Sequence, residues 1–195
     1  MQDFTATAKL ALRDQLLAGR KRLGLPEIGQ RARAVAEHLV LNAEVRRAAT
    51  VAAYVSVSSE PGTGPLLRAL QVAGKRVILP LLRPDDDLEW AAYDGPESLH
   101  SARRGLLEPT AESLGTEAIA TADVVLVPGL AVGRDGTRLG RGGGSYDRAL
   151  GRVPVGTFTC VLLNSEEVLD SVPAASHDRQ VSAVVTELGL TTLSS

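Results

Sequence analysis

The sequence predicts an α/β fold, a mainly parallel sheet covered by helices. Two observations carry this. Short runs that are apolar on consecutive positions recur along the chain, as strands buried on both faces require. Helix-compatible segments lie between several of them, the alternation that builds parallel sheets through crossover connections. The runs are Val51–Val57, Val77–Leu82, Leu88–Tyr93, Val124–Pro128, Phe158–Leu163 and Ala183–Thr186.

The elements follow in order. Residues 5–23 carry Leu12, Leu16 and Leu23 at roughly helical spacing, and Gly24 stands where such a helix stops. Pro26 suits the first turn of a second helix, from Glu27 to about Asn42. Pro65–Val72 forms a helical link between the first two runs, and Asp85–Asp87 a turn between the second and third. Thr116–Thr121 is a helical approach to the fourth run, and Tyr146–Leu150 starts a short helix after a glycine-rich stretch. Trp90 and Cys160 fall inside apolar runs and read as core residues. Sheets of this kind bind ligands beyond the carboxyl ends of their strands. Two loops stand there: Ser58–Thr63 and Gly129–Tyr146.

Composition sets the bounds. A chain of 195 residues is the size of one ordinary domain, expected here to span 1–195. With 44% hydrophobic and 23% charged residues it has the material for a core, which argues against disordered or collagen-like classes. No apolar run is long enough to span a membrane, and the N-terminal stretch has no apolar signal region. The single cysteine, Cys160, forbids an intrachain disulfide and a paired-cysteine metal site, so a reducing compartment, the cytoplasm, is expected. A net charge of −2 and only 3% aromatic residues argue against non-specific nucleic-acid coating and single-strand stacking. The expected partners are small molecules, with no nucleic acid and no membrane, and the expected state is a monomer.

The most informative stretch runs from Pro128 to Arg148. Asp135-Gly136 signals a tight turn. Arg138 and Arg141 then flank Gly140, followed by Gly142, Gly143 and Gly144. Glycines let backbone N–H groups approach an anion, and arginines add forked donors for phosphate oxygens. The stretch lacks the Gly-Lys-Ser/Thr ending of a Walker A loop, and Ser145 interrupts a G-x-G-x-x-G match. On glycine content alone, a flexible hairpin with surface arginines and an anion site both remain open.

Arg138-Leu139-Gly140-Arg141-Gly142-Gly143-Gly144-Ser145-Tyr146-Asp147-Arg148, preceded by Pro128-Gly129-Leu130-Ala131, closely resembles the signature of the 5-formyltetrahydrofolate cyclo-ligases. The likeness covers nearly the whole chain. Lys9-x-x-x-Arg13 resembles that family's N-terminal ATP-contacting pair, and Tyr54-x-Ser56 with Glu60 and Thr63 its first strand and folate loop. Gly105-Leu106-Leu107-Glu108-Pro109 and His177-Asp178 followed by Val184-Val185-Thr186-Glu187 resemble its central and C-terminal segments.

The resemblance implies a three-layer α/β/α sandwich. It implies an enzyme that uses ATP and Mg²⁺ to convert 5-formyltetrahydrofolate to 5,10-methenyltetrahydrofolate, releasing ADP and phosphate. ATP phosphorylates the formyl oxygen, and N10 then attacks. Residue by residue, it implies catalytic cations at Arg138, Arg141 and Arg148. ATP contacts are implied for Lys9, Arg13 and each residue from Arg138 through Leu139, Gly140, Arg141, Gly142, Gly143, Gly144 and Ser145 to Tyr146. Folate contacts fall to Val55, Glu60 and Tyr146, and metal ligation to Asp147 and Asp178. Each residue also has a plainer reading. Lys9 and Arg13 share a helical face that could be solvated, and Glu60 could be a loop carboxylate. Tyr146 could be a packing aromatic, Asp147 could favour a helix N-terminus, and Asp178 could be a turn residue.

Three departures from the family pattern stand out. Ser145 occupies a position that usually holds tyrosine or a similar aromatic, Gly143 one where some members carry lysine, and no glutamine follows the fifth run near Asn164. Two other readings compete: a non-catalytic folate- or nucleotide-binding paralogue, and a sugar-phosphate isomerase or acyl-CoA transferase on a similar sheet.

Overall fold

The computed structural model describes residues 2–194, so Met1 and Ser195 lie outside it. The chain opens with helices α1 (Gln2–Arg20), α2 (Leu25–Leu41) and α3 (Ala43–Arg47). Strand β1 (Thr50–Ala52) leads to α4 (Gly64–Val72), then β2 (Arg76–Leu82) and β3 (Leu88–Ala92). Two short strands follow, β4 (Leu99–Ser101) and β5 (Leu107–Pro109), then a 3₁₀ turn at Thr116–Thr121. Next come β6 (Val124–Pro128), the small hairpin β7 (Ala131–Val132) with β8 (Arg138–Leu139), and α5 (Ser145–Leu150). The chain ends with β9 (Phe158–Leu162), β10 (Ala183–Thr186) and β11 (Gly189–Thr192).

The main sheet has seven strands in the order β11-β10-β9-β6-β1-β2-β3. The pairs β10–β9, β9–β6, β6–β1 and β1–β2 are parallel. The edge strands β11 and β3 run antiparallel to their neighbours. Alternation along β6 shows why consecutive apolar residues are needed. Val124 and Leu126 pack with Val35 and Leu39 of α2 and Leu66 and Leu70 of α4. Val125 and Val127 face the other way, onto Ala149 and Leu150 of α5, Trp90 and Ile119. Both faces are therefore covered, giving the mixed α/β architecture with a mainly parallel sheet.

The structure refines several boundaries. The predicted strand Val51–Val57 pairs only over β1; after the Ala53 N–H donates to Ile78 at 3.0 Å the chain leaves the sheet. The second helix begins at Leu25, with Pro26 in its first turn. Thr116–Thr121 is a 3₁₀ turn rather than an α-helix. Trp90 and Cys160 are fully buried, as expected of core residues. The short strands β4, β5, β7, β8 and the edge strand β11 have no counterpart among the predicted runs. Among the described residues, no helix is long and apolar enough to cross a membrane.

Candidate active site

A cleft of about 960 Å³ opens beyond the carboxyl ends of β1 and β6. Three segments build it. The chain leaving β1 supplies Tyr54, Val55 and Glu60; the glycine-rich stretch supplies Arg138 to Asp147; and α1 supplies Lys9 and Arg13. A C-terminal loop, Ala174 to Asp178, completes the wall. Every predicted site residue lines this cleft except Arg148. Arg148 turns away: its Nη2 donates to the Asp86 carbonyl at 2.6 Å and to the Gly143 carbonyl at 3.2 Å.

The predicted cations and carboxylates pair with one another. Lys9 Nζ lies 2.5 Å from Asp178 Oδ2, which also accepts from the Ala175 N–H at 2.7 Å. Burial works against the Asp178 charge, but these two donors hold its carboxyl below the ordinary value. Arg138 Nη2 donates to Asp147 Oδ1 at 3.0 Å, and the Arg179 N–H reaches the same oxygen at 3.2 Å. Arg141 donates to Glu60 Oε1 at 3.1 Å, and Glu60 Oε2 accepts from the Val57 N–H at 2.9 Å. Arg138 is nearly fully buried, its guanidinium 5.9 Å from the Tyr146 ring centre, and among the described residues its Nε has no partner. Burial, reinforced by the nearby Glu60 charge, pushes the Tyr146 hydroxyl far above its ordinary pKa, so it stays protonated as a donor.

Positive φ calls for glycine at Gly142 and Gly144 of this wall. Gly142 has φ +105° and lies against the Arg13 guanidinium, 3.4 Å from where a Cβ would stand. Gly144, with φ +68°, caps α5 in the left-handed conformation. Arg13 Nε donates to the Gly140 carbonyl at 2.9 Å, and Leu139 is buried beside Leu12 and Leu16, so α1 holds the stretch by both a polar and an apolar contact.

Sequence reading misses several wall residues. Arg104, Leu106, Leu107 and Glu108 line the cleft around β5. Their segment matches a family landmark, but nothing in its pattern marks it as part of the wall. Glu108 accepts from the Leu82 N–H at 2.9 Å, which fixes this segment against β2. The region near Asn164 serves the framework, since Asn164 and Glu167 form a capping box and Glu167 pairs with Arg20.

Fold and cleft together define a class: an open α/β protein with a basic, glycine-rich cleft at the carboxyl ends of its parallel strands. The chain belongs to the 5-formyltetrahydrofolate cyclo-ligase family, whose profile matches residues 5–187, and it is an enzyme of that family. A 5-formyltetrahydrofolate cyclo-ligase of Mycolicibacterium smegmatis is 40% identical over 184 residues, covering 92% of this chain and 93% of the relative. One from Escherichia coli is 33% identical over 169 residues, covering 82% and 88%. The solved structure of an Aquifex aeolicus 5,10-methenyltetrahydrofolate synthetase superposes with a TM-score of 0.81 at 28% identity, covering 95% of this chain and 92% of that one.

Proposed function

We propose that this chain converts 5-formyltetrahydrofolate to 5,10-methenyltetrahydrofolate with ATP and Mg²⁺, releasing ADP and phosphate. Support comes from one observation above all: Lys9, Arg13, Arg138 and Arg141 share a cleft with the glycine stretch, Asp147 and Asp178. Their basic groups and backbone donors suit a nucleotide's phosphates, while Tyr54, Val55, Glu60 and Tyr146 offer an apolar slot with a buried carboxylate. The cleft draws on residues from Lys9 to Asp178, which supports one functional unit across the chain. A monomer suffices in this reading.

The substrate supplies its own nucleophiles. The formyl oxygen takes the terminal phosphoryl group of ATP, and ADP leaves. N10 then attacks the activated formyl carbon and gives up its proton, the bond to the phosphorylated oxygen breaks, and phosphate departs, the proton ending on it as hydrogen phosphate. The protein must align these groups and stabilise charge. Glu60 accepts hydrogen bonds from the pterin ring and orients it, and Val55 packs beside it. Tyr146 donates from its hydroxyl. Arg138 and Arg141 balance charge on the transferred group, and Lys9 and Arg13 hold the phosphates. Arg148 acts from behind, through its contact with Gly143.

The donor set fits magnesium. Among the described residues, no three acidic, histidine or cysteine side chains gather into a closed metal cage. Asp147 and Asp178 line the cleft wall, paired here with Arg138 and Lys9, and Mg²⁺ favours one or two carboxylates with phosphate oxygens and water completing its shell. Asp147 and Asp178 would hold the ion. It would supply charge neutralisation at the phosphates.

The test mixes purified protein with 5-formyltetrahydrofolate, Mg²⁺ and ATP and follows the near-ultraviolet absorbance of the methenyl product against an ATP-free control. An ATP-dependent rise is expected. A folded protein that binds ATP without that rise is a binding paralogue instead.

A further inference from the structure

Lys9, Arg13, Leu16 and Arg20 follow one another at spacings of four, three and four, so they share one face of α1. Arg20 is 2% exposed. Its Nε donates to Glu167 Oε1 at 2.6 Å. Its Nη2 donates to Glu167 Oε2 at 2.8 Å and to the Gly129 carbonyl at 2.7 Å. Glu167 is itself held, accepting from the Asn164 N–H at 2.9 Å and from Asn164 Nδ2 at 3.1 Å. Two helical turns earlier, Arg13 donates to the Gly140 carbonyl. Gly129 and Gly140 bracket the β7–β8 hairpin, whose base closes with Leu130 N–H donating to Leu139 at 2.7 Å. Leu12, next to Arg13, and Leu16, between the two arginines, pack on Ala131, Leu139 and Val172. One helix therefore grips both ends of the hairpin, at points about 10.5 Å apart along its axis.

We propose that Arg20, locked by Glu167, is a positioning residue for the nucleotide half of the cleft. Neither side chain lines the cleft, so both act through others. The contact at Gly129 sets the register of α1 on the hairpin, and hence where Lys9 and Arg13 meet the glycine stretch. Arginine is required because three acceptors lie around one planar fork, which a lysine ammonium on a single stem cannot match. Gly129 is required because a Cβ there would meet Val161 Cγ2 at 2.7 Å. A buried ion pair is weak support for stability in itself, and the role assigned to this one is to fix geometry.

The nucleotide part of this proposal rests on the ATP reading above, so the experiment has two arms. Arg20→Lys and Glu167→Gln are compared with wild type for the KM of ATP and of 5-formyltetrahydrofolate. The expected result is an ATP KM raised about tenfold with the folate KM within about twofold, since small misplacements of contact groups have effects of this size or more. A purely structural role would lower the melting temperature without separating the two constants. Should the single variants fail to fold, the paired replacement Arg20→Met with Glu167→Leu fills the site with apolar groups and gives the same comparison. Folded variants with an unchanged ATP KM, or with both constants moving together, overturn the proposal. The second arm needs no ligand: amide exchange at Leu130 and Gly133 should quicken about tenfold in the variants, with Ala53, whose N–H donates to Ile78 of β2, as an unchanged reference. If wild type makes no product with ATP, the functional reading fails, and unchanged exchange at Leu130 and Gly133 would overturn the positioning role separately.

Discussion

Arg141 and Glu60 meet across 81 residues of sequence, with two guanidinium nitrogens 3.0 and 3.1 Å from one carboxylate oxygen. In the proposed reaction these side chains belong to different ligands, Arg141 to ATP and Glu60 to folate. Glu60 is buried and already takes the Val57 N–H on its other oxygen, while the Arg141 side chain is half exposed and free to swing. A pterin that donates to Glu60 Oε1 competes with Arg141 and releases it toward the phosphates. The two ligands should therefore help each other, and linkage requires the effect to be mutual. A non-hydrolysable ATP analogue is expected to bind about fivefold more tightly with 5-formyltetrahydrofolate present, as read by calorimetry. Glu60→Gln should erase the difference, because a neutral amide no longer holds Arg141. Equal affinities in wild type would show that the pair plays no part in coupling.

Asp147 sits where one carboxylate oxygen receives Arg138 and the Arg179 N–H. Asp147→Asn keeps the shape and removes the charge. Turnover with Mg²⁺-ATP is expected to fall about a hundredfold, the scale of losing one charge-stabilising group at a reacting centre. Folate affinity should stay within about twofold. Steady-state rates across a magnesium titration, with folate binding measured separately, check both halves. Unchanged turnover would take Asp147 out of the mechanism.

Two glycines of the same stretch should respond differently to alanine. At Gly136, φ is +81° and a Cβ would lie 2.5 Å from the Val181 carbonyl oxygen, which is backbone and cannot step aside. Gly136→Ala should cost about 2 kcal/mol or more, seen as an earlier urea midpoint. At Gly140 the Cβ would meet Arg138 Nη1 at 2.8 Å, the end of a side chain. Gly140→Ala should shift the midpoint little but lower activity about tenfold by turning Arg138 away from its placed geometry. A matching pattern for both variants in midpoint and rate would contradict this division.

Most of the sheet is legible in the sequence because its strands are buried on both faces, so Val124 to Val127 need no alternation to declare themselves. The same property makes strand β1 look too long. Ala53, Tyr54 and Val55 are as apolar as their predecessors, yet they leave the sheet, and Tyr54 and Val55 form part of the cleft wall. The hairpin β7–β8 has two residues per strand, too short for any periodic signal. Lys9, Arg13 and the glycine stretch stand out because their spacing and composition are local. Arg20 and Glu167 do not, because a pair separated by 147 residues leaves no mark in either neighbourhood. Arg148 belongs to the same signature, yet its side chain turns from the cleft to the Asp86 carbonyl, a direction that its place in the sequence does not reveal.

Asp87 links stability to pH through the turn that backs the glycine stretch. Arg152 donates to both of its oxygens, at 2.9 and 2.6 Å, and the Leu88 N–H adds a third bond at 2.8 Å. The Arg152 contacts, against a smaller opposing effect of burial, hold the Asp87 carboxyl below its ordinary value of 3.8. A carboxyl more acidic when folded than when unfolded stabilises the fold while ionised. That contribution is complete above the unfolded value and is lost as pH falls through the lower, folded one. Asp87→Asn should therefore melt below wild type at neutral pH, and the gap should close as pH drops below about 3.8. The neighbouring Asp86 carbonyl receives Arg148, which also reaches Gly143. Loosening this turn should accordingly speed amide exchange in the glycine stretch at neutral pH. A melting gap that stays constant from pH 7 to pH 3 would assign the loss to packing, with no electrostatic share for the Arg152 pair.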